Sequence, residues 1–142
     1  MCRTAKWTLN CQPESVPEGR RRLRCTLESW GVAGTDAATA VLPDVLLAAS
    51  ELLANAERFC RRRLVLSVSA HRSRVELAVA DDSPAWAVLR HPAPGAESGR
   101  GLEIVERLST RWGQVEWDGD VKRVWWVIAV PDGSALAANC TM

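Results

Sequence analysis

Residues 42–60, LPDVLLAASELLANAERFC, are the most apolar and most helix-prone stretch of the chain. Pro43 suits a first helical turn, where its missing N–H has no partner to lose. Val45, Leu46, Ala49, Leu52, Leu53 and Ala56 would cover more than half of the helix circumference, which predicts a largely buried helix. Two polar residues interrupt that pattern. Glu51 and Asn55 are spaced i, i+4 and so share one face, with Arg58 one turn further on. A buried carboxylate or amide is costly unless it finds a partner. An acid, an amide and a cation on one stripe suit a magnesium–phosphate site. Asn can offer its oxygen to the ion, Arg can pair with phosphate, and Glu can orient or deprotonate a nucleophile. A polar stripe turned to water is the competing reading, and on these residues alone it is the better one.

Working outward, residues 5–11 (AKWTLNC) alternate weakly and predict an edge strand, followed by a turn at Pro13 and Pro17. Residues 15–31 (SVPEGRRRLRCTLESWG) read as a helix, with Ser15 as the cap, Glu18 in capping-box position and Gly31 as the stop. Leu23, Leu27 and Trp30 form its core stripe, and Arg20, Arg21, Arg22 and Arg24 a solvated face. Downstream, Arg61 to Arg63 complement the C-terminal end of the long helix. Residues 64–70 (LVLSVSA) and 74–81 (RVELAVAD) alternate with period 2 and predict a hairpin with one face on helices. Residues 82–99 are rich in Pro and Gly and read as a loop. A third helix is expected from about 101 to 111, then strands near 113–118 and 121–130 around Asp118-Gly119-Asp120. The order β-α-α-β-β-α-β-β predicts an α/β fold: a two-layer sandwich with an antiparallel-rich mixed sheet and helices on one face.

Composition narrows the function. The chain has 142 residues, 47% hydrophobic and 25% charged, which suits one globular domain. A formal net charge of +1 argues against a nucleic-acid binder that works by bulk phosphate attraction. Lysine occurs only at Lys6 and Lys122, every other basic residue being Arg. The five Cys lie at 2, 11, 25, 60 and 140 with no C-x-x-C pair, and neither His71 nor His91 completes a metal pattern, so scattered reduced thiols in a cytoplasmic protein are expected. The N-terminal residues lack a signal-peptide run, and no apolar stretch is long enough to span a bilayer. Among the seven Trp, Trp30, Trp112 and Trp125 fit core or motif positions, Trp86 falls in the long loop, and Trp7, Trp117 and Trp126 lie on strands.

Two further motifs join the long helix. The strand ending at Asp81-Asp82-Ser83-Pro84 sets carboxylates where a loop begins, and a fixed carboxylate there can accept from an exocyclic amine such as that of adenine. Gly99-Arg100-Gly101-Leu102 opens the expected third helix, where glycines let backbone approach a phosphate and the helix dipole favours it. In this order, Glu51–Arg58, Asp81–Pro84 and Gly99–Leu102 resemble the N, G1 and G2 boxes of the Bergerat-fold, histidine-kinase-like ATPases. The nearest branch is the small single-domain anti-sigma regulatory factors and serine-protein kinases of actinomycete type. Ser15-Val-Pro17, Arg111-Trp112-Gly113 and Lys122-Arg-Val-Trp125 fit that branch, so the resemblance spans about 7–130, leaving 131–142 as a tail.

The resemblance implies ATP and Mg²⁺ as cofactors, with Asn55 as the metal ligand and Glu51 as general base. It implies Arg58 near the phosphates, Asp81 on the adenine amino group, and Gly99, Arg100, Gly101 and Leu102 around the phosphates, under a lid at 85–98. The implied partners are a sigma factor or an anti-sigma antagonist protein, without direct nucleic-acid or membrane contact; dimerisation is common in that branch. An alternative of another class is a protein-binding module that uses ATP structurally or has lost it. Departures from the branch are Ser83 and Ala85 in place of the G1 glycines, Phe59 where His is frequent, and Arg123 where Thr usually stands beside the base.

Overall fold

The computed structural model describes residues 3–30, 41–71, 74–82, 111–117 and 121–129. Its elements are β1 (Arg3–Asn10), α1 (Ser15–Ser29), α2 (Val41–Phe59), β2 (Arg63–Ala70), β3 (Arg74–Asp81), β4 (Arg111–Trp117) and β5 (Val121–Ala129). The alternating strands assemble into one five-stranded sheet in the order β1-β2-β3-β5-β4, with every neighbouring pair antiparallel. β1 is an edge strand, as its weak alternation predicts. This is the expected two-layer α/β arrangement. The third helix, the Pro- and Gly-rich loop and the Asp118-Gly119-Asp120 turn lie outside the described residues.

Period 2 decides which side chains the helices cover. Leu64, Leu66 and Val68 of β2, Val75, Leu77 and Val79 of β3, and Val124 and Trp126 of β5 are buried in one cluster with α1 and α2. Against them α2 sets Val45, Leu46, Ala48, Ala49, Leu52, Leu53 and Ala56, so the long helix is buried over the face its sequence marks out. Gly19 of α1 lets the two helices close up: a Cβ there would lie 2.8 Å from Leu53 Cδ1 and 3.1 Å from Leu9 Cδ1. Leu23 and Leu27 are fully buried, and the four Arg of α1 are exposed.

Several sequence expectations are corrected. Ser15 is not the cap of α1 but its first residue: its N–H donates to the Gln12 carbonyl at 3.0 Å and its hydroxyl is buried. Glu18 reaches forward to Arg22, at 3.2 Å, instead of back to the cap. Arg111 and Trp112 belong to β4, so that strand starts two residues earlier than its sequence pattern predicts. Trp126, expected only as a strand residue, fills the core. Trp125 lies half-buried on the opposite face, packed over Gly113, where a Cβ would come within 2.6 Å of its ring. Two thiols are not free: Cys11 and Cys60 form a disulfide across 49 residues, while Cys25 is free and exposed. No helix among the described residues is long and apolar enough to cross a membrane.

Candidate functional site

The covered side of α2 leaves a second stripe open, and this stripe holds Glu51 and Asn55. Both are half-buried, between the buried Leu52, Leu53 and Ala56 and the exposed Ala54 and Arg58. Desolvation by burial holds the Glu51 carboxyl above the usual carboxylate range, which moves a proton acceptor toward neutral pH. The Arg58 guanidinium lies on the solvent side, 5.4 Å from the centroid of the Phe59 ring. A cation–π contact of that kind holds the long side chain along the last turn.

The two carboxylates that close β3 have separate tasks. Asp82 turns toward the end of α2, where its Oδ1 accepts from the Arg61 N–H at 2.7 Å and its Oδ2 from the Arg62 N–H at 3.1 Å. One side chain thus stitches the end of β3 to the chain just after α2 and satisfies two amides in the α2–β2 connection. That stitch brings the tip of β3 beside the last turn of α2, one turn beyond Asn55.

Asp81 points the other way, into the helix-covered face, with its residue only 2% exposed. It sits opposite Lys122 in the β3–β5 register, and Oδ2 lies 3.9 Å from Nζ. Lys122 is itself only 4% exposed. Burial lowers the pKa of its ammonium, while the Asp81 charge acts to raise it. The resemblance sets Arg123 where Thr usually stands beside the base; in the register Lys122 is the residue opposite Asp81, while Arg123 is opposite Ala80 and faces away from the helices. Period-2 parity from Asp81 could not reveal this, because Trp125, Trp126, Val127 and Ile128 form an unbroken apolar run that hides which face is inward. Lys122, the buried cation that faces Asp81, is the residue that sequence reading did not single out. Its rarity was a signal, since it is one of only two lysines in the chain.

The residues present fit a Mg-nucleotide in kind. The described residues hold no cluster of three or more His, Cys, Asp or Glu that would cage a metal by itself. A hard ion carried on phosphates needs only one or two protein oxygens, and the Asn55 amide can supply one. Asp81 is a buried carboxylate, a group that can accept from an exocyclic amine. Gly99, Arg100, Gly101 and Leu102, with the expected lid, lie outside the described residues. On the reverse face of the sheet, Arg111, Arg123 and Trp125 line a groove with Glu76, and the Arg111 guanidinium lies 6.0 Å from the Trp125 ring centroid.

Comparison with protein families places this arrangement. The family described as the histidine kinase-like ATPase domain matches residues 9–127, from the end of β1 to within β5. A search of curated proteins returns no match.

Proposed function

The chain belongs to the histidine kinase-like ATPase family, and on that premise we propose that it is an ATP-binding regulatory protein of the anti-sigma-factor type. Its ligand is Mg-ATP, and its partners are a cytoplasmic sigma factor or the antagonist protein that competes for it. The observation that carries this reading is the junction of β3 with α2. Asp81 is a buried acceptor at the end of β3, the next residue is hydrogen-bonded to the chain just after α2, and α2 carries Glu51 and Asn55 on its half-buried stripe, within a domain matched along most of its length.

Asn55 holds the ion, Asp81 takes the amine of the base, and Gly99, Arg100, Gly101 and Leu102 surround the phosphates. The metal, when bound, offsets charge on the phosphoryl group and keeps it in line with its acceptor. Glu51 orients the Ser or Thr hydroxyl of the antagonist. It accepts the hydroxyl proton as the oxygen bonds to the γ-phosphorus and the bond from that phosphorus to the ADP oxygen breaks. Its raised pKa gives the proton transfer a pH dependence. Phosphotransfer falls as pH drops through a pKa above the ordinary carboxyl value of 4.5, because only the carboxylate accepts a proton.

A second reading, a binding module without phosphotransfer, is favoured by one observation: the carboxylate expected to meet the base already faces a buried cation at Lys122. Calorimetry with Mg-ATP tests the first step, with binding by the native chain and its loss in Asn55→Ala as the expected result. Absence of binding by the native chain rejects the kinase. Incubation with antagonist proteins tests the second step: phosphoserine or phosphothreonine should appear, and Glu51→Ala should prevent it. Binding without transfer supports the module.

A further inference from the structure

Buried lysines are rare because an ammonium loses its hydration and gains nothing from apolar neighbours. Lys122 shares the helix-covered face of β5 with Val124 and Trp126, both buried, and looks across at Asp81 on the face of Val75, Leu77 and Val79. A lysine whose only task was solubility would lie outside, as Lys6 does on the exposed side of β1. At 3.9 Å the two charges hold each other without forming one short hydrogen bond.

The chemistry of the two groups is complementary. A carboxylate only accepts hydrogen bonds, and an ammonium only donates them. Side by side they form an acceptor next to a donor. Adenine presents the matching pair along its Watson–Crick edge, an amine that donates beside a ring nitrogen that accepts, and such edges are what proteins read on an unpaired base. We propose that Lys122 is a base-reading residue, its ammonium donating to N1 of adenine while Asp81 accepts from the 6-amino group. This rests on the reading of the chain as an ATP-binding protein and adds to it the residue that selects the base. Asp81 plays a second part in the pair: its charge lies 3.9 Å from the ammonium and opposes the effect of burial on it. Arg123, on the other face, takes no part.

The test compares ATP with 1-deaza-ATP, in which a C–H replaces N1, by titration calorimetry of the full chain with Mg²⁺. A hydrogen bond from a charged donor is lost with the analogue, so the native chain should bind it about tenfold or more weakly than ATP. In Lys122→Met that preference should vanish, and Lys122→Arg, which keeps a charged donor, should recover part of it. A lysine that merely neutralises Asp81 predicts equal binding of the two nucleotides by the native chain, and that result overturns the assignment. So does a Lys122→Met chain that still prefers ATP by the same factor. The native comparison needs no variant, so it decides even if Lys122→Met does not fold. Binding of neither nucleotide rejects the ATP reading as well; tight ATP binding with equal affinity for the analogue rejects only the role of Lys122.

Discussion

One strand carries two ion pairs, and its two ends treat them oppositely. At the start of β3, Arg74 Nε lies 2.8 Å from Glu76 Oε1, with the side chains 43% and 36% exposed and His71 Nε2 3.8 Å from the other carboxylate oxygen. At its end, Asp81 and Lys122 are 3.9 Å apart with side chains 0% and 5% exposed. Five residues of strand put Glu76 and Asp81 on opposite faces. The shorter pair is the weaker contributor, because water screens it and two long side chains lose freedom to hold it. The longer pair matters more. With little solvent around it, neither charge is well screened, and loss of one is costly to the other. Separation alone does not rank ion pairs; the medium between them does.

The comparison breaks most readily at its buried end. Lys122→Met leaves Asp81 without its cation and should cost about 3–5 kcal/mol of unfolding free energy, read from urea titrations. Asp81→Leu combined with Lys122→Met removes both charges and should recover most of that loss, while nucleotide binding, which needs the Asp81 carboxylate, should be lost. If the single and double variants are equally destabilised, the pair is not coupled.

Asp82 tests the middle of the scale, since it is half-exposed and accepts from two backbone amides. Asp82→Ala should cost about 1–3 kcal/mol, with faster hydrogen exchange at the amides of Arg61 and Arg62. Its effect on ATP affinity should be smaller than that of Asp81→Asn. Equal effects would mean that the stitch, not the buried acceptor, holds the nucleotide.

The exposed end should yield least. Glu76→Gln should change stability by no more than about 0.5 kcal/mol at moderate salt. The sign of its pH dependence follows from the hydrogen bond of Arg74, which more than offsets burial and holds the Glu76 carboxyl below its ordinary value of 4.5. Its contribution is therefore complete above that value and lost as pH falls through the lower folded-state pKa. His71 works in the same direction at higher pH. Burial and then Arg74 lower its pKa from 6.5, so the folded state resists its protonation and loses stability as pH falls below 6.5. His71→Gln should flatten the stability profile across that window in thermal melts.

How far this arrangement could be read without coordinates varies with the range of the interaction. The α2 burial pattern, the β2–β3 hairpin and the edge position of β1 follow from local periodicity, which is written in consecutive residues. Glu51, Asn55 and Asp81 could be singled out because they break an apolar pattern. Lys122 could not be matched to Asp81, because that pairing depends on strand register about 40 residues away. Asp82 read only as one of the carboxylates where a loop begins, and its amide partners at Arg61 and Arg62 leave no local trace. Ser15 carried every feature of a cap, yet the Gln12 carbonyl took its N–H first and helix α1 began one residue sooner.

The disulfide has a consequence for the topology of the whole helix layer. Cys11 follows the last residue of β1, and Cys60 follows the last of α2, while the Cys11 N–H donates to the Arg62 carbonyl at 3.0 Å where the chain re-enters the sheet. Chain therefore leaves the sheet and returns to it at one spot, and both described helices lie inside the closed ring. Shutting a ring of that length removes unfolded-chain entropy equivalent to about 4 kcal/mol in the loop-closure picture. A reductant that opens the ring would leave every contact of the folded helices in place and give that entropy back to the unfolded chain, so the helix layer is least stable where the surrounding thiols are most reducing.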